Sequence, residues 1–489
     1  MTADRHVVGD LTINILPDEL LLAIFEFCVC GADDEVTTKG DAEDEVRWVA
    51  LVHVCQRWRY IVFASPHRLD LRLVCTDRTP VREMLDIWPA LPMSVRISVL
   101  NEEIPDNVVA ALEHKDRVCE IYAHGISGDK FEELATVPRM QDPFPALTHL
   151  HLGAYPEYDA PIMPDSFLGG SAPLLRSLYA RDFVYPALPK LLLSATGLAS
   201  LSLFDRVTCY IPHQMMVDCV TSLARLETLV IQSRFNWHYE GYHYRLGPRP
   251  PPPTQHTDLR LLPVLTTLAF QGPPEYFEMI FTRIDAPRLE DIKIGFNDPP
   301  IFNFSRISLF TSLKVKETFE ALDQAHMGIE SNAFVKVTLS SRRGTTGDTM
   351  LMLLIPRGNY ESNWKLLGLK QDRRCRPTSL APANFESPDI REDKRTLHDV
   401  GNDQWLELFR LFSAVVNLYL SEGLATCVTP ALRELVGEGV TEVLPALQNL
   451  FIGDLSSALV KEAIGEFVAA RELSGHPITV QSWTEVIRE

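Results

Sequence analysis

The nine residues FPALTHLHL, Phe144 to Leu152, place one leucine two residues after a proline and two more at the alternating positions 150 and 152, and this arrangement returns along the chain. Alternating apolar residues bury one face of a short strand. Seven further segments share the pattern Pro-x-Leu-x-x-Leu-x-apolar, with the proline relaxed in some of them. They are APLLRSLYA from Ala172, TGLASLSL from Thr196, LARLETLVI from Leu223, LPVLTTLAF from Leu262, APRLEDIKI from Ala286, FSAVVNLYL from Phe412 and LPALQNLFI from Leu444.

The spacing of these segments is that of a repeat protein. Most successive copies are 23 to 39 residues apart, and one step is 126 residues; leucine-rich repeats recur every roughly 20–29 residues. The intervening segments PALPKLLLSAT and HQMMVDCVTSLAR have helical character, and weaker copies begin at Leu69, Ser94 and Arg117. Because one unit cannot bury its own face, the copies must stack. We therefore expect an α/β fold, an irregular leucine-rich-repeat solenoid with a curved parallel sheet and helices on the convex side.

Composition bounds the functional classes. The chain has 489 residues, of which 46% are hydrophobic, and its net charge is −19, which argues against nucleic acid or an anionic membrane as partner. No apolar run is long enough to span a bilayer, and the run Leu20 to Phe25 does not resemble a signal peptide. Nine cysteines without metal-like spacing fit reduced thiols in cytoplasm or nucleus. We expect no cofactor and no metal.

The N-terminal stretch INILPDELLLAIFEFC, Ile13 to Cys28, predicts a helix that is apolar on nearly every side. Pro17 suits the first turn, and two acidic residues follow it at the positive end of the helix dipole. One apolar stripe contains Leu20, Ile24 and Phe27, and a second lies beside it. Such a helix requires cover on both faces.

An acidic segment, Gly31 to Glu45, separates this helix from VRWVALVHVCQRWRYIVFAS, which predicts two short helices meeting near His53 to Cys55. Without the acidic loop, the helical unit has only about 45 residues, a size at which a core rarely suffices alone. Its surplus apolar surface predicts a docking partner.

Two motifs in this region carry a resemblance. Leu-Pro-x-Glu-Leu-x-x-x-Ile, followed by Val-Cys-Gln-x-Trp-Arg, resembles the F-box over roughly residues 12–71, with the acidic loop 31–45 as a departure from the family pattern. The resemblance implies a three-helix module that binds the Skp adaptor of a cullin-based ubiquitin ligase. The residues implied in adaptor binding are Leu16, Pro17, Leu20, Ile24, Val54 and Trp58. Alternatively, these residues form the core of an N-terminal cap.

The whole chain resembles F-box proteins with a leucine-rich-repeat region, especially those of basidiomycete fungi. This resemblance implies a substrate-recognition subunit of an SCF-type (Skp-cullin-F-box) ubiquitin ligase, with the Skp adaptor and cullin complex and an unknown target protein as partners. Such a subunit is not an enzyme, and no catalytic motif stands out. The alternative is a non-degradative interaction scaffold, and an enzyme is a more distant one.

The expected repeat region, residues 72–489, contains two insertions, near 234–258 and 330–400. The second includes FVKVTLSSRRGTTGDTMLMLLI, which predicts a hairpin. Outward residues of the strands, and an aromatic cluster in the first insertion, are candidate contacts with a target. Paired metal ligation by two of the histidines, or an aromatic loop that merely folds onto the repeats, are the other interpretations. The candidates are His149, His151, Tyr179, Trp237, Tyr239, Tyr242, Tyr244 and Tyr419.

Overall fold

Every repeat-like segment predicted from the sequence contains a strand, and helices lie between many of the successive strands. The expectation of a mixed α/β fold with a large parallel sheet is confirmed. The protein is seen in a computed structural model. The residues that it describes are 13–30, 47–76, 78–98, 105–154, 161–183, 188–205, 213–233, 260–272, 277, 280–281, 283–296, 322–330, 334–340, 350–356, 401–410, 412–435, 439–453 and 457–483.

The chain divides into two units, Met1–Leu198 and Ala199–Glu489. The boundary expected from sequence at residue 71 concerns modules within the first unit and stays a prediction. The elements of the first unit are α1 (Asp18–Cys30), α2 (Arg47–Val52), α3 (Gln56–Ala64), β1 (Leu73–Cys75), α4 (Val81–Ile87), β2 (Met93–Ser98), α5 (Asp106–Leu112), β3 (Val118–Ile126), α6 (Gly128–Thr136), β4 (His149–Ala154), β5 (Ser177–Arg181) and α7 (Leu188–Ser194).

The first three helices form as the sequence predicts, with α1 beginning directly after Pro17 and a break between α2 and α3 at residues 53–55. One stripe of α1 is buried, because Leu21 and Phe25 are inaccessible to solvent. The ring of Phe25 lies 4.7 Å from that of Trp58 on α3. One of the two apolar stripes of α1 is therefore buried in the small core of these helices.

Strands β1 to β5 are parallel and lie in chain order. Their register brings equivalent residues of successive copies side by side, so that apolar residues form buried rows across the sheet. One such row is Cys75, Val95, Ile121, Leu150 and Leu178. Because side chains alternate along a strand, the residues between these rows lie on the opposite side of the sheet, which we call the outward side.

The turn before each strand explains the proline of the repeat. The backbone N–H of Leu147 donates to the carbonyl of Phe144 at 3.3 Å, and the corresponding bond recurs in all eight copies at 3.0–3.4 Å. Proline occupies the second position of this four-residue turn in five copies, where its fixed φ is already suitable. The motif is therefore a turn that ends one unit and leads directly into the next strand.

The second unit repeats this plan with more strands. Its elements are β6 (Ser200–Asp205), α8 (His213–Ser222), β7 (Thr228–Ser233), β8 (Arg260–Leu261), β9 (Thr267–Gly272), β10 (Ile284–Asp285), β11 (Asp291–Phe296), β12 (Gln324–Glu330), β13 (Phe334–Ser340), β14 (Met350–Pro356), α9 (Asn402–Arg410), β15 (Asn417–Leu420), α10 (Glu422–Arg433), α11 (Gly439–Glu442), β16 (Asn449–Ile452), α12 (Ala458–Leu473) and β17 (Thr479–Ser482).

Within this unit the strands lie in the order β6, β7, β9, β11, β14, β13, β12, β15, β16, β17. The predicted hairpin is present as β13 and β14, which pair antiparallel. β12 pairs antiparallel with β13 and parallel with β15. Three strands thus replace repeat units here, although β13 and β14 fall within the range 330–400 expected to be an insertion. Along β13, buried and half-buried residues alternate from Val335 to Ser340 as they do in the repeats, which suits this strand to a place in the sheet.

One outward residue departs from the expectation. Asn417 is buried, although strand alternation predicts that it is exposed. Its Oδ1 accepts a hydrogen bond from Nδ2 of Asn449 at 2.8 Å on the neighbouring strand. The in-register neighbour therefore covers the side chain, an effect that alternation within one strand does not reveal.

Candidate functional site

The second stripe of α1 is exposed. Leu20, Ile24 and Phe27 expose 53%, 42% and 78% of their surface, and Pro17 before the helix is exposed as well. Three large apolar side chains at i, i+4 and i+7 lie on one side of the helix. We call Leu20, Ile24 and Phe27 the apolar helix face, and its exposure is typical of a surface that another protein covers.

Arg57 on α3 fixes the start of this helix. Its guanidinium donates to the backbone carbonyl of Leu16 at 2.6 Å and to the Asp18 carboxylate at 2.6 and 2.9 Å. A guanidinium that binds a carbonyl and a carboxylate together holds both in one geometry. The half-buried Leu16 and the exposed Pro17 are therefore positioned by α3.

The turn between α2 and α3 adds two exposed residues, Val54 and Cys55. Cys28, one residue beyond Phe27 on α1, is exposed too. Trp58 instead packs against Phe25 and is half-buried. Four of the six residues implied in adaptor binding are exposed, namely Pro17, Leu20, Ile24 and Val54. The other two, Leu16 and Trp58, are half-buried.

On the outward side of the first unit, the rings of Tyr122, His151 and Tyr179 stack across β3, β4 and β5. Their centroids are 4.2 and 4.0 Å apart, and the second pair is inclined by only 4°. The strand register places these three residues directly opposite one another, and neighbouring strands are about 4.8 Å apart. We call them the unit-1 ladder; the sequence predicted two of its three members.

His149 lies in the adjacent row and belongs to a polar network. Its Nδ1 is 2.9 Å from Oγ1 of Thr148 and 3.5 Å from the carboxylate of Glu120, which also binds Arg72. The Thr148 hydroxyl donates its proton to the carbonyl of Cys119 at 2.9 Å.

This constellation is not a catalytic triad. In a triad the nucleophile and the carboxylate use different nitrogens of the histidine, whereas here both Thr148 and Glu120 approach Nδ1 of His149. Burial raises the pKa of the Cys119 thiol to about 11 despite the opposing charge of Arg72, so that the thiolate is scarce near neutral pH. The network is suited to holding the outward row in place.

His151 is the chemically unusual member of the unit-1 ladder. Burial, together with the nearby His124, lowers the pKa of its imidazole to about 4. Its Nε2 is buried without a hydrogen-bond partner among the described residues. The imidazole is therefore neutral near pH 7 and behaves as a third aromatic ring between two tyrosines.

This shift predicts a pH dependence of stability. Because the unfolded chain binds the proton below pH 6.5 and the folded chain only below about 4, the free energy of unfolding falls as the pH is lowered through this window. After allowance for solvent screening of a half-buried group, we expect His151 to contribute about 1–2 kcal/mol of this fall.

Urea unfolding of the wild type and of His151→Phe across this window measures that contribution. The phenylalanine keeps the stacking, so the variant should lose less stability on acidification than the wild type. Identical pH profiles would contradict the assignment.

A second stack lies on the outward side of the second unit. The rings of His326, Tyr419 and Phe451 on β12, β15 and β16 are 4.2 and 4.3 Å apart and nearly parallel. Trp483, just after β17, meets Tyr419 edge-on at 5.3 Å. We call His326, Tyr419 and Phe451 the unit-2 ladder; the sequence selected Tyr419 alone.

The residues missed by the sequence had different signals. Tyr122 stands in the weak copy RVCEIYA at the position equivalent to His151, so extending the register upstream would have found it. His326 had no such signal, since β12 lacks the leucine pattern and joins the sheet through the hairpin. The candidates Trp237, Tyr239, Tyr242 and Tyr244 lie outside the described residues.

No family model and no curated protein matches the chain. Any function must therefore be argued from its own residues. Across the described ranges, no group of three or more histidine, cysteine, aspartate or glutamate side chains could hold a metal ion. Nor does any helix described there combine the length and apolar character needed to cross a bilayer.

Proposed function

We propose that the protein is a substrate-recognition subunit of an SCF-type ubiquitin ligase. In this proposal α1 to α3 form an F-box that binds the Skp adaptor, and the repeats form a leucine-rich-repeat region that binds a target protein. The observation that carries the proposal is the exposed apolar helix face, because two of its three residues, Leu20 and Ile24, are among those that the F-box resemblance implies in adaptor binding.

Burial within α1 supports this assignment over an N-terminal cap. A cap would turn both apolar stripes of α1 into its own core, yet only Leu21 and Phe25 are buried while Leu20 and Ile24 remain exposed. Exposed apolar side chains of this size are stabilised when a partner covers them, by about 25 cal/mol for each Å² removed from water.

The proposed mechanism is one of proximity. A target held by the outward side of the repeats is brought close to the ubiquitin-charged enzyme that the cullin complex carries, which raises the effective concentration of the two reactants. No bond is made or broken by this chain. The neutral unit-1 ladder and its structural polar network are compatible with such a binding role.

Two substitutions test adaptor binding directly. Leu20→Asp and Ile24→Asp place charges on the apolar helix face without disturbing the buried stripe, and each should weaken binding of the purified Skp adaptor at least about 30-fold. Isothermal titration of the full chain with the adaptor measures this effect. Leu459→Asp, at an exposed leucine on α12, is the matched control and should bind like the wild type. Failure of the wild type itself to bind the adaptor would end the ligase proposal.

Thiol labelling provides a second, independent measurement. Cys28 and Cys55 are exposed, and both lie beside residues assigned to adaptor contact, whereas Cys75 and Cys219 are buried. Iodoacetamide should therefore label Cys28 and Cys55 rapidly in the free chain and at least about 10-fold more slowly in the adaptor complex, because a covered thiol reacts only when the complex opens. Peptide mass spectrometry reports each site, and equal labelling rates with and without adaptor would contradict the proposed interface.

A non-degradative scaffold remains the second candidate from sequence. In the scaffold, any adaptor contact merely stabilises the chain, so the fate of the bound target separates the two candidates. Under the ligase proposal, a partner captured by the repeats accumulates when the gene is deleted. Unchanged abundance of every such partner would favour the scaffold.

A further inference from the structure

Two rows of outward side chains cross β12, β15, β16 and β17 without a formal charge. Their positions follow from the strand register, which alternates them with the buried rows. None of the eight residues is an aspartate, glutamate, lysine or arginine, although the chain carries a net charge of −19. The first row is Gln324, Asn417, Asn449 and Thr479, and the second is His326, Tyr419, Phe451 and Gln481.

Protein interfaces have this composition at their centre. The buried core of an interface is depleted of charged residues and enriched in tyrosine, tryptophan and phenylalanine. Elsewhere in the second unit the outward rows include a charged pair, Lys293 and Asp291, at 3.2 Å on β11. The outward residues of β6, β7 and β9, such as Ser202, Val230 and Ala269, are uncharged as well. The stacked rings are therefore what distinguishes the strip on β12, β15, β16 and β17.

The aromatic side chains of this strip are held rigidly. His326, Tyr419 and Phe451 restrain one another by stacking, and Trp483 is fixed at both ends. Its Nε1–H donates to the carbonyl of Leu420 at 3.2 Å, and its backbone N–H donates to Ile452 at 3.1 Å. Rigid aromatic side chains lose little conformational entropy on binding.

Side chains of the neighbouring polar row form hydrogen bonds with one another. Asn449 donates to Asn417 and accepts a hydrogen bond from the Thr479 hydroxyl, so these side chains are linked from strand to strand across the sheet. A charged group laid on this strip would lose hydration without gaining an opposite charge. An uncharged, apolar segment loses little hydration there and gains contact with four rings.

We propose that His326, Tyr419, Phe451 and Trp483 form a docking surface for a protein segment whose contacting side chains are aromatic or aliphatic and uncharged. We call these four residues the C-terminal ring surface. That the segment belongs to a degradation target rests on the proposed function; the surface and its preference are argued from the side chains alone.

Selection from a random dodecapeptide display library against the immobilised full chain tests this preference. Enriched peptides should share aromatic or aliphatic residues and lack charges at the selected positions. Two variants locate the contact: Phe451→Gln, which copies the residue that follows in the same row on β17, and Gln481→Glu, an exposed position that adds a charge without altering the ring packing. Each should weaken the enriched peptides at least about 10-fold, by fluorescence anisotropy with synthetic peptides.

Leu459→Gln, at an exposed apolar residue of α12 outside both ladders, is the matched control and should leave peptide affinity unchanged. Thermal unfolding of all variants confirms that the chain is folded, and Gln481→Glu keeps the test decisive if Phe451→Gln is unstable. The inference is overturned by the absence of enriched peptides, by enrichment of charged ones, or by undiminished binding to both variants. Self-association of the wild type that Gln481→Glu abolishes, seen by sedimentation velocity, would overturn it in favour of a second copy as occupant.

Adaptor binding measured on the same variants separates this inference from the proposed function. Phe451→Gln and Gln481→Glu should bind the Skp adaptor like the wild type. If the wild type does not bind the adaptor, the ligase proposal fails and the peptide preference still stands. If the wild type binds the adaptor but selects no uncharged apolar peptides, the docking surface is wrong and the ligase proposal still stands.

Discussion

Replacement of Trp48 by alanine is expected to lower the free energy of unfolding by about 3–5 kcal/mol. Trp48 on α2 is buried, its ring lies 5.4 Å from that of Trp88 and 6.0 Å from that of Phe63, and its Nε1–H donates to the carbonyl of Arg72 at 3.2 Å. One side chain thus joins the N-terminal helices to the residues around β1 and α4. Its truncation removes the aromatic contacts and leaves both a cavity and a carbonyl without its donor.

Chemical denaturation followed by circular dichroism measures this loss. Tyr60→Ala, at an exposed aromatic residue of α3, is the control and should change stability by less than about 0.5 kcal/mol. Because the helices are small, Trp48→Ala should also detach them from the cooperative transition, so that an early unfolding phase appears. A single transition with wild-type stability would contradict the role assigned to Trp48.

Replacement of Arg471 by methionine is expected to cost about 2–3 kcal/mol, because three carbonyls lose their donor. Arg471 lies in the last turn of α12 and is fully buried, and burial lowers the pKa of its guanidinium. It donates to the carbonyls of Val440, Leu444 and Leu447 at 3.0–3.3 Å. Leu444 has a φ of +54°, which is unfavourable for a branched side chain, so the guanidinium also holds a strained turn.

The opposing effect is the desolvation of the guanidinium, which methionine removes, and it keeps the expected loss below that of three independent hydrogen bonds. Arg433→Met is the control: Arg433 on α10 pairs with Glu466 at 2.6 Å but is half exposed, and an exposed ion pair contributes less than about 1 kcal/mol. Thermal and urea unfolding of both variants compare them. A gain of stability in Arg471→Met would mean that desolvation outweighs the hydrogen bonds.

The strands were predictable because each copy contains the alternation that a half-buried strand requires. The first leucines of the copies, such as Leu147, Leu175 and Leu226, are all buried as expected. The order of strands around the hairpin was not predictable, since β12 pairs with β15 across a long sequence separation that no local pattern encodes. The proline turn could have been read from the sequence, because its four positions are contiguous.

The candidate sites divide in the same way. Exposure of Leu20 and Ile24 could be inferred from a helix with more apolar surface than its small module can bury. The roles of Arg57 and Trp483 could not, because each contacts residues that are distant in the chain: Arg57 binds Leu16, and Trp483 binds Leu420. Hydrogen-bond partners at such separations follow from packing alone.

The sequence by itself determined the repeating unit with its turn and strand, and the excess apolar surface of the first helix, because each depends on residues only a few positions apart. The tertiary structure decided which outward residues become neighbours. Parallel strands in register place Tyr122 beside His151 and His326 beside Tyr419, although the first pair is separated by one repeat and the second by most of the longest step in the chain. Stacking at about 4 Å then converts isolated aromatic residues into continuous surfaces, and this requires the strand spacing of the assembled sheet.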